Sequence, residues 1–471
     1  MTRNLQTALI ALLGFVPSPD IAAQASDCHD VAAFDLRLQT MVGTVARNGA
    51  SLLLVHENAE VARLHRGSYN ASTVIPIASA TKWLSGAVIM KLVEQGTLSL
   101  DDPIRKFRSD FTGAAADITI RQLFSHTSGM ADNDPVINDL SVTLEQAVAH
   151  IAKLPLNNPP GTAFAYGNLS MHVGGRIAEQ VTGTGFEQLF RNLIGNPLGM
   201  TSTDYQGFGT TTNYMIAGGA RSSLEDFGRF LEMIANDGVF RGRRILSKAA
   251  VDVMLADQTR GAQIVRTFQP DGRRYGIGVW RDRVAQNGEA LEVSSPGGFG
   301  TWPFVDRERN SYGVLLIQSF LGISRAQTDA LMDEVRSQVR FAGLRCYGNS
   351  TRSCKGSVRL EGNGPARIGN AGFALRGLGA PANSIGSLFF SGSSLPTPNP
   401  GFGFDLWLDP SQLLATVSLV SAPDGSFSLA VPLTGLTPGG PIYAQTLWLA
   451  TPTCTGPTPA AASHPLAITL R

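Results

Sequence analysis

Ser79 and Lys82 stand three residues apart at the start of an apolar run, Ala78-Ser79-Ala80-Thr81-Lys82-Trp83-Leu84. On a helix, positions i and i+3 share a face, so the hydroxyl and the amine can meet. A serine beside a possible base is the minimum for covalent catalysis. A helix N-terminus also offers free backbone N–H groups that favour negative charge. Alone, this spacing favours a helix cap and a solvated lysine, since it arises by chance in many chains. Two further stretches supply what it lacks. Tyr166-Gly167-Asn168 brings a phenol, a general base if a nearby cation such as Lys82 lowers its pKa. Asn168 adds an amide that can hold Lys82 or a substrate. Ser294-Ser295-Pro296-Gly297-Gly298-Phe299-Gly300-Thr301 is built of small residues that let a substrate approach a strand edge. Backbone N–H groups there can complete an oxyanion hole with that of Ser79. The chemistry indicated is acyl transfer through a serine. The G-x-S-x-G signature is absent. His126, ahead of Thr127-Ser128-Gly129, reads as a structural residue at a helix end, not as part of a Ser-His-Asp triad. There is no H-E-x-x-H and no His/Asp cluster, so neither a metal nor another cofactor is expected.

Regular elements must position these groups. The periodicity predicts a central helix over Ser79–Gln95, closed by Gly96. Further helices are expected at Ala32–Val42, Ile118–Phe124, Leu144–Leu154, Leu169–Val181, Phe186–Leu193 and Ala326–Phe341. Another is expected at Phe227–Ala235, opened by a Ser222/Glu225 capping box. Strands are expected at Ser51–His56, Glu60–His65, Tyr275–Trp280, Ala290–Val293, Gly300–Val305 and Val314–Phe320. Strands at both ends and helices between them predict an α+β domain with a cleft between sheet and helical region. From Gly356 onward charges become sparse and Gly, Pro and Ser abundant. Short runs alternate with a period of two, as in Phe402–Leu408, Leu414–Val420, Phe427–Val431 and Ala444–Leu449. Turn signals separate them, which predicts an all-β sandwich.

The 471 residues suit more than one domain. Lys and Arg (38) balance Asp and Glu (37), which excludes a global field for nucleic acid or an anionic membrane. Arg3, the apolar run Leu5–Val16 and Ala23-Gln24-Ala25 read as an export signal over 1–25. The mature chain, secreted or periplasmic, should lack an integral membrane segment. The expected organisation is signal 1–25, catalytic domain 26–345 and sandwich 346–471. Cys28, Cys346, Cys354 and Cys454 suggest disulfides, with three pairings open.

In this order, S-A-T-K (79–82), S-H-T-S-G-M (125–130), P-G-T-A-F-A-Y-G-N (160–168) and P-G-G-F-G-T (296–301) resemble the serine β-lactamase and penicillin-binding superfamily. The resembling branch holds class C β-lactamases, D-alanyl-D-alanine carboxypeptidases and esterases of that fold, and the likeness spans about residues 30–342. It implies that Ser79 is acylated, that Lys82 helps deprotonate it, and that Tyr166 is a general base or proton shuttle that also activates the deacylating water. It further implies that Asn168 orients substrate and Lys82, and that the Gly298 and Ser79 N–H groups form the oxyanion hole. The chain departs from the family at Ser295-Pro296-Gly297, where the third motif normally begins with Lys, His or Trp. A cation there binds a substrate carboxylate; without it a contact of roughly 1.5–3 kcal/mol is lost, and Pro296 lacks an N–H. Ser295 and Gly297 still flank the expected substrate site. The expectation is an esterase-like hydrolase of an uncharged small-molecule ester, amide or peptide. The alternatives are a β-lactamase, a D-Ala carboxypeptidase or D-aminopeptidase, or an inactive binding or sensor module. Helix packing in the superfamily implies a Cys28–Cys346 pair, leaving Cys354–Cys454 to tie the sandwich's first strand to its last. The C-terminal part resembles β-rich modules of secreted bacterial proteins through Ala366-Arg367-Ile368-Gly369-Asn370, Phe373 and Tyr443-Ala444-Gln445. That implies surface attachment, carbohydrate contact or spacing.

Overall fold

Helix α1 (Val31–Thr44) starts at Asp30, whose carboxylate accepts the Ala33 N–H. It leads into a hairpin of β1 (Gly49–His56) and β2 (Ala59–Gly67). The structure, a computed structural model, describes residues 28–269, 272–400, 404–436, 438–449, 454 and 460–470. The expected export signal, residues 1–25, lies outside them.

Strand β1 reads G-A-S-L-L-L-V-H and is buried along its whole length. Successive side chains point to opposite faces of a strand, so a strand buried on both faces needs no polar alternation. Leu52 and Leu54 join one core, with Phe34 and Leu38 of α1. Leu53 and Val55 join the other, with Trp83 and Leu84 of α2 (Thr81–Glu94). Beyond α2 come α3 (Leu169–Thr182) and α4 (Leu224–Ala235). The chain then returns as β3 (Trp280–Val284), β4 (Ala290–Ser294), β5 (Trp302–Asp306) and β6 (Ser311–Ile317), and ends the domain with α5 (Leu321–Gln338). These strands form one antiparallel sheet in the order β2-β1-β6-β5-β4-β3. Helices α1 and α5 cover one face, and α2 and α4 the other. This is the expected α+β plan, a sheet assembled from both ends of the domain.

The boundaries moved where local chemistry decided otherwise. Residues Ala78–Ala80 form a 3₁₀ turn, and the α-helix proper starts at Thr81, so Ser79 precedes it and is not its cap. Helix α2 is buried on every side from Thr81 to Met90, more than the single apolar face read from the sequence. Tyr275–Val279 is not strand. A lone bridge joins Tyr275 to Trp280, and Gly278, at φ +77°, lies against the Lys82 carbonyl. The cap of α4 is Ser223, which accepts the Asp226 N–H; Ser222 instead hydrogen-bonds Thr203. Helix α5 begins five residues before Ala326. A helix over Lys248–Leu255 was not anticipated.

A second sheet begins at Leu344, just ahead of the expected boundary at 346. Its order is Leu344–Cys346, Leu466–Ile468, Ile442–Leu449, Ile385–Ser391, Leu413–Val420. It faces a three-stranded sheet of Arg359–Gly362, Ala374–Leu378 and Phe427–Ala430. One core joins them, with Phe427 from the small sheet 4.9 Å from Trp448 of the large one. The interior strand Ile385–Ser391 was missed. Both disulfides pair as the resemblance implied. Cys346, not Cys354, lies on the strand paired with the last one, while Cys354 sits at the turn of a small hairpin. So Cys28–Cys346 ties the segment ahead of α1 to the first strand of the second sheet. Among the described residues no helix is long and apolar enough to cross a membrane.

Candidate active site

Ser79 in the 3₁₀ turn and Lys82 in the first turn of α2 are three residues apart on one face, which brings their side chains together. Lys82 Nζ lies 3.1 Å from Ser79 Oγ, 2.8 Å from Asn168 Oδ1 and 2.9 Å from the Ala217 carbonyl. The ammonium has no solvent exposure and no carboxylate among these partners. Burial alone lowers its pKa to about 7. Ala78 carries the backbone into the turn at φ +46°, a left-handed conformation that costs a non-glycine residue of order 1–3 kcal/mol.

Asn168 begins α3 and is fixed by its own backbone, whose N–H donates to the Asp132 carbonyl at 2.6 Å. Two residues earlier, the Tyr166 hydroxyl interacts with the Ser79 side chain. Lys82 Nζ sits 4.8 Å above the Tyr166 ring centroid. The ring stacks on Trp280 at 5.1 Å and meets His126 at 4.7 Å and Phe268 at 4.9 Å. This aromatic shell reverses the expected direction for Tyr166. Desolvation pushes the phenol pKa up, and Lys82 does not pull it down. His126 is buried, both its ring nitrogens lack protein partners, and desolvation holds it neutral. A structural reading of that histidine fits better than a triad.

The third motif leaves the end of β4. The Ser295 and Gly297 N–H groups bond inward to the Pro303 and Thr301 carbonyls, continuing the ladder toward β5. In such a ladder alternate N–H groups face the other edge. Strand β3 reaches only to Trp280 and leaves that stretch unpaired, and the Ile77–Ser79 segment lies close to it, near Gly297 and Ser295. A Cβ on Gly297 would lie 2.2 Å from the Ile77 carbonyl oxygen, so only glycine allows this approach. Among the described residues, no hydrogen bond uses the N–H of Ser79 or of Gly298. Pro296 offers none. The Ser295 hydroxyl donates to the Ser79 and Gly278 carbonyls at 3.3 and 3.2 Å. It therefore braces the nucleophile segment, where substrate contact was expected, and the Gly297 N–H is likewise already used.

A cleft of about 440 Å3 opens on Ser79 and Asn168, lined also by Asn138, Leu140, Phe208, Met215 and Phe299. None of these is charged. Ala217, Leu140, Phe208, Met215 and Phe268 were not singled out from the sequence; they lie outside the regular elements, where no periodic signal marks them.

The β-lactamase family model matches residues 34–335. The chain belongs to the β-lactamase family. It is 33% identical to a candidate β-lactamase from Bacteroides dorei DSM 17855, with a TM-score of 0.60 over 66% of this chain and 98% of that one. Protein Rv1367c of Mycobacterium tuberculosis is 26% identical over 289 residues, 49% of this chain and 72% of that protein. A family VIII carboxylesterase shares the fold, at 17% identity and a TM-score of 0.55, over 67% of this chain and 99% of that one. This family member thus has a hydrolase fold followed by a strand-rich region, which the matched region does not reach.

Proposed function

We propose that the chain is an exported serine hydrolase that cleaves uncharged carboxylic esters through an acyl-enzyme on Ser79. One observation carries this reading: a fully buried Lys82, titrating near 7, hydrogen-bonded to the serine. A neutral amine has two hydrogens and one lone pair. Asn168 Oδ1 and the Ala217 carbonyl take both hydrogens, which leaves the lone pair for the Ser79 proton. Ser79 Oγ then attacks the acyl carbon, and the carbonyl oxygen gains charge between the Ser79 and Gly298 N–H groups. Tyr166, kept protonated by burial, relays the proton from Lys82 to the departing alkoxide. The C–O bond breaks, the alcohol leaves and the acyl group stays on Ser79. Water reverses the path, giving its proton to the same pair and releasing the acid.

Ester substrates are favoured over β-lactams and D-alanyl peptides because the cleft lining carries no cation and Ser295 is engaged with backbone. Two disulfides accord with a secreted or periplasmic setting. The sandwich serves in this reading as an attachment or carbohydrate-contacting module. A fluorophosphonate should label the wild type and not Ser79→Ala. A panel of p-nitrophenyl esters, a chromogenic cephalosporin and D-Ala dipeptides then assigns the substrate. Absence of labelling would make the chain a binding or sensor module, and efficient D-Ala release would overturn the ester assignment.

A further inference from the structure

Single exposed apolar side chains are normal on a protein surface. Here several gather at the mouth of the cleft. Leu140 (41% exposed) and Phe208 (42%) line it and reach solvent. The Phe299 ring, also part of the lining, lies 5.9 Å from Phe208 and 6.3 Å from Phe320. Phe320 is 60% exposed, and Ile323, on the first turn of α5, is 59% exposed. On the Tyr166 side, Phe268 packs against the catalytic phenol and remains 37% exposed.

Two arginines beside these residues are paired. Arg266, next to the Tyr166 backbone, pairs with Asp132 at 2.5 Å. Arg325 pairs with Asp329 at 2.8 Å and lies over the Trp302 ring. A contiguous apolar patch framed by polar residues marks a surface that leaves water. Its attraction to a hydrophobic phase scales with the apolar area buried there. With a net charge of +1 and these two arginines paired, the chain carries no strong positive field to favour an anionic surface.

Resting on the ester-hydrolase reading, we propose that this rim docks the enzyme on micelles of neutral long-chain acyl esters. The cleft opens inside the patch, so an acyl chain passes from the micelle to the Leu140, Met215 and Phe299 wall without crossing water. The substrate class is thereby narrowed to aggregated lipophilic esters.

The test uses the full chain, p-nitrophenyl palmitate in Triton X-100 micelles and soluble p-nitrophenyl acetate. The variant F320D/I323D charges the rim outside the cleft lining. The wild type should co-elute with Triton X-100 micelles on gel filtration, and the variant should not. Turnover of micellar palmitate should fall at least tenfold in the variant, while acetate hydrolysis stays within twofold. F320L should keep micelle association, showing that apolar surface is what matters. Wild type that elutes free of micelles, or a variant that behaves as wild type, overturns the proposal. So does a dimer without detergent that the variant converts to monomer, which would assign the rim to a second copy. Fluorophosphonate labelling of the same samples separates the two readings. Labelling without micelle association rejects the docking surface alone. Association without labelling supports the docking surface and rejects the hydrolase.

Discussion

The protonation of Lys82 is the sharpest handle on this site. Burial lowers its pKa from an ordinary 10.5 to about 7, equivalent to roughly 5 kcal/mol against the charged form. At pH 7 this raises the neutral fraction on the order of a thousandfold. If the neutral amine takes the Ser79 proton, acylation requires the deprotonated form. The kcat/KM for a soluble ester should then climb about tenfold per pH unit below 7 and level off above it. The free enzyme's titration sets this limb, since kcat/KM reports unliganded groups. Stopped-flow or initial-rate measurements from pH 5 to 10 on one p-nitrophenyl ester suffice. Lys82→Arg, always protonated, should lose about 10²–10⁴-fold at every pH without regaining a plateau. A profile flat down to pH 5, or a limb near pH 10, would refute the assignment of Lys82 as base.

Three further outcomes follow from the geometry. Asn168→Asp places a carboxylate near the amine, now 2.8 Å from Asn168 Oδ1, and should move the same limb about one to three units more alkaline; an unmoved limb would mean that another group titrates. Gly297→Ala drives a Cβ against the Ile77 carbonyl and displaces the Ser79 turn, so kcat should drop about 10²-fold with unchanged circular dichroism. Activity within twofold of wild type would show that this approach does not set the nucleophile. Removing the Cys354–Cys454 disulfide as the double serine variant should cost the sandwich about 2–4 kcal/mol in urea unfolding, yet leave hydrolysis of a soluble ester intact.

The sequence alone determined the parts that depend on local periodicity and on residue order. The α+β plan and most helices were legible because a helix or strand buries a repeating set of positions, whereas Ser79, Lys82, Tyr166 and Asn168 stood out as candidates through residue type, order and likeness to the family's motifs. The disulfide pairing followed from likeness to known folds. What the sequence did not determine was everything set by contacts distant along the chain. The nucleophile turn starts as 3₁₀ where Gly297, 220 positions away, lies against the Ile77 carbonyl, a contact no local pattern announces. The missing strand at Tyr275–Val279 reflects Gly278 meeting the Lys82 carbonyl. The direction of the Tyr166 pKa is the clearest case. Adjacent charge suggested a lowered value, but burial of the phenol raises it, outweighing the lowering contacts with Ser79 and Trp280. A residue's chemistry can be named from its type and spacing. Its protonation is decided by which distant side chains the fold packs around it, since desolvation depends on the whole surrounding volume.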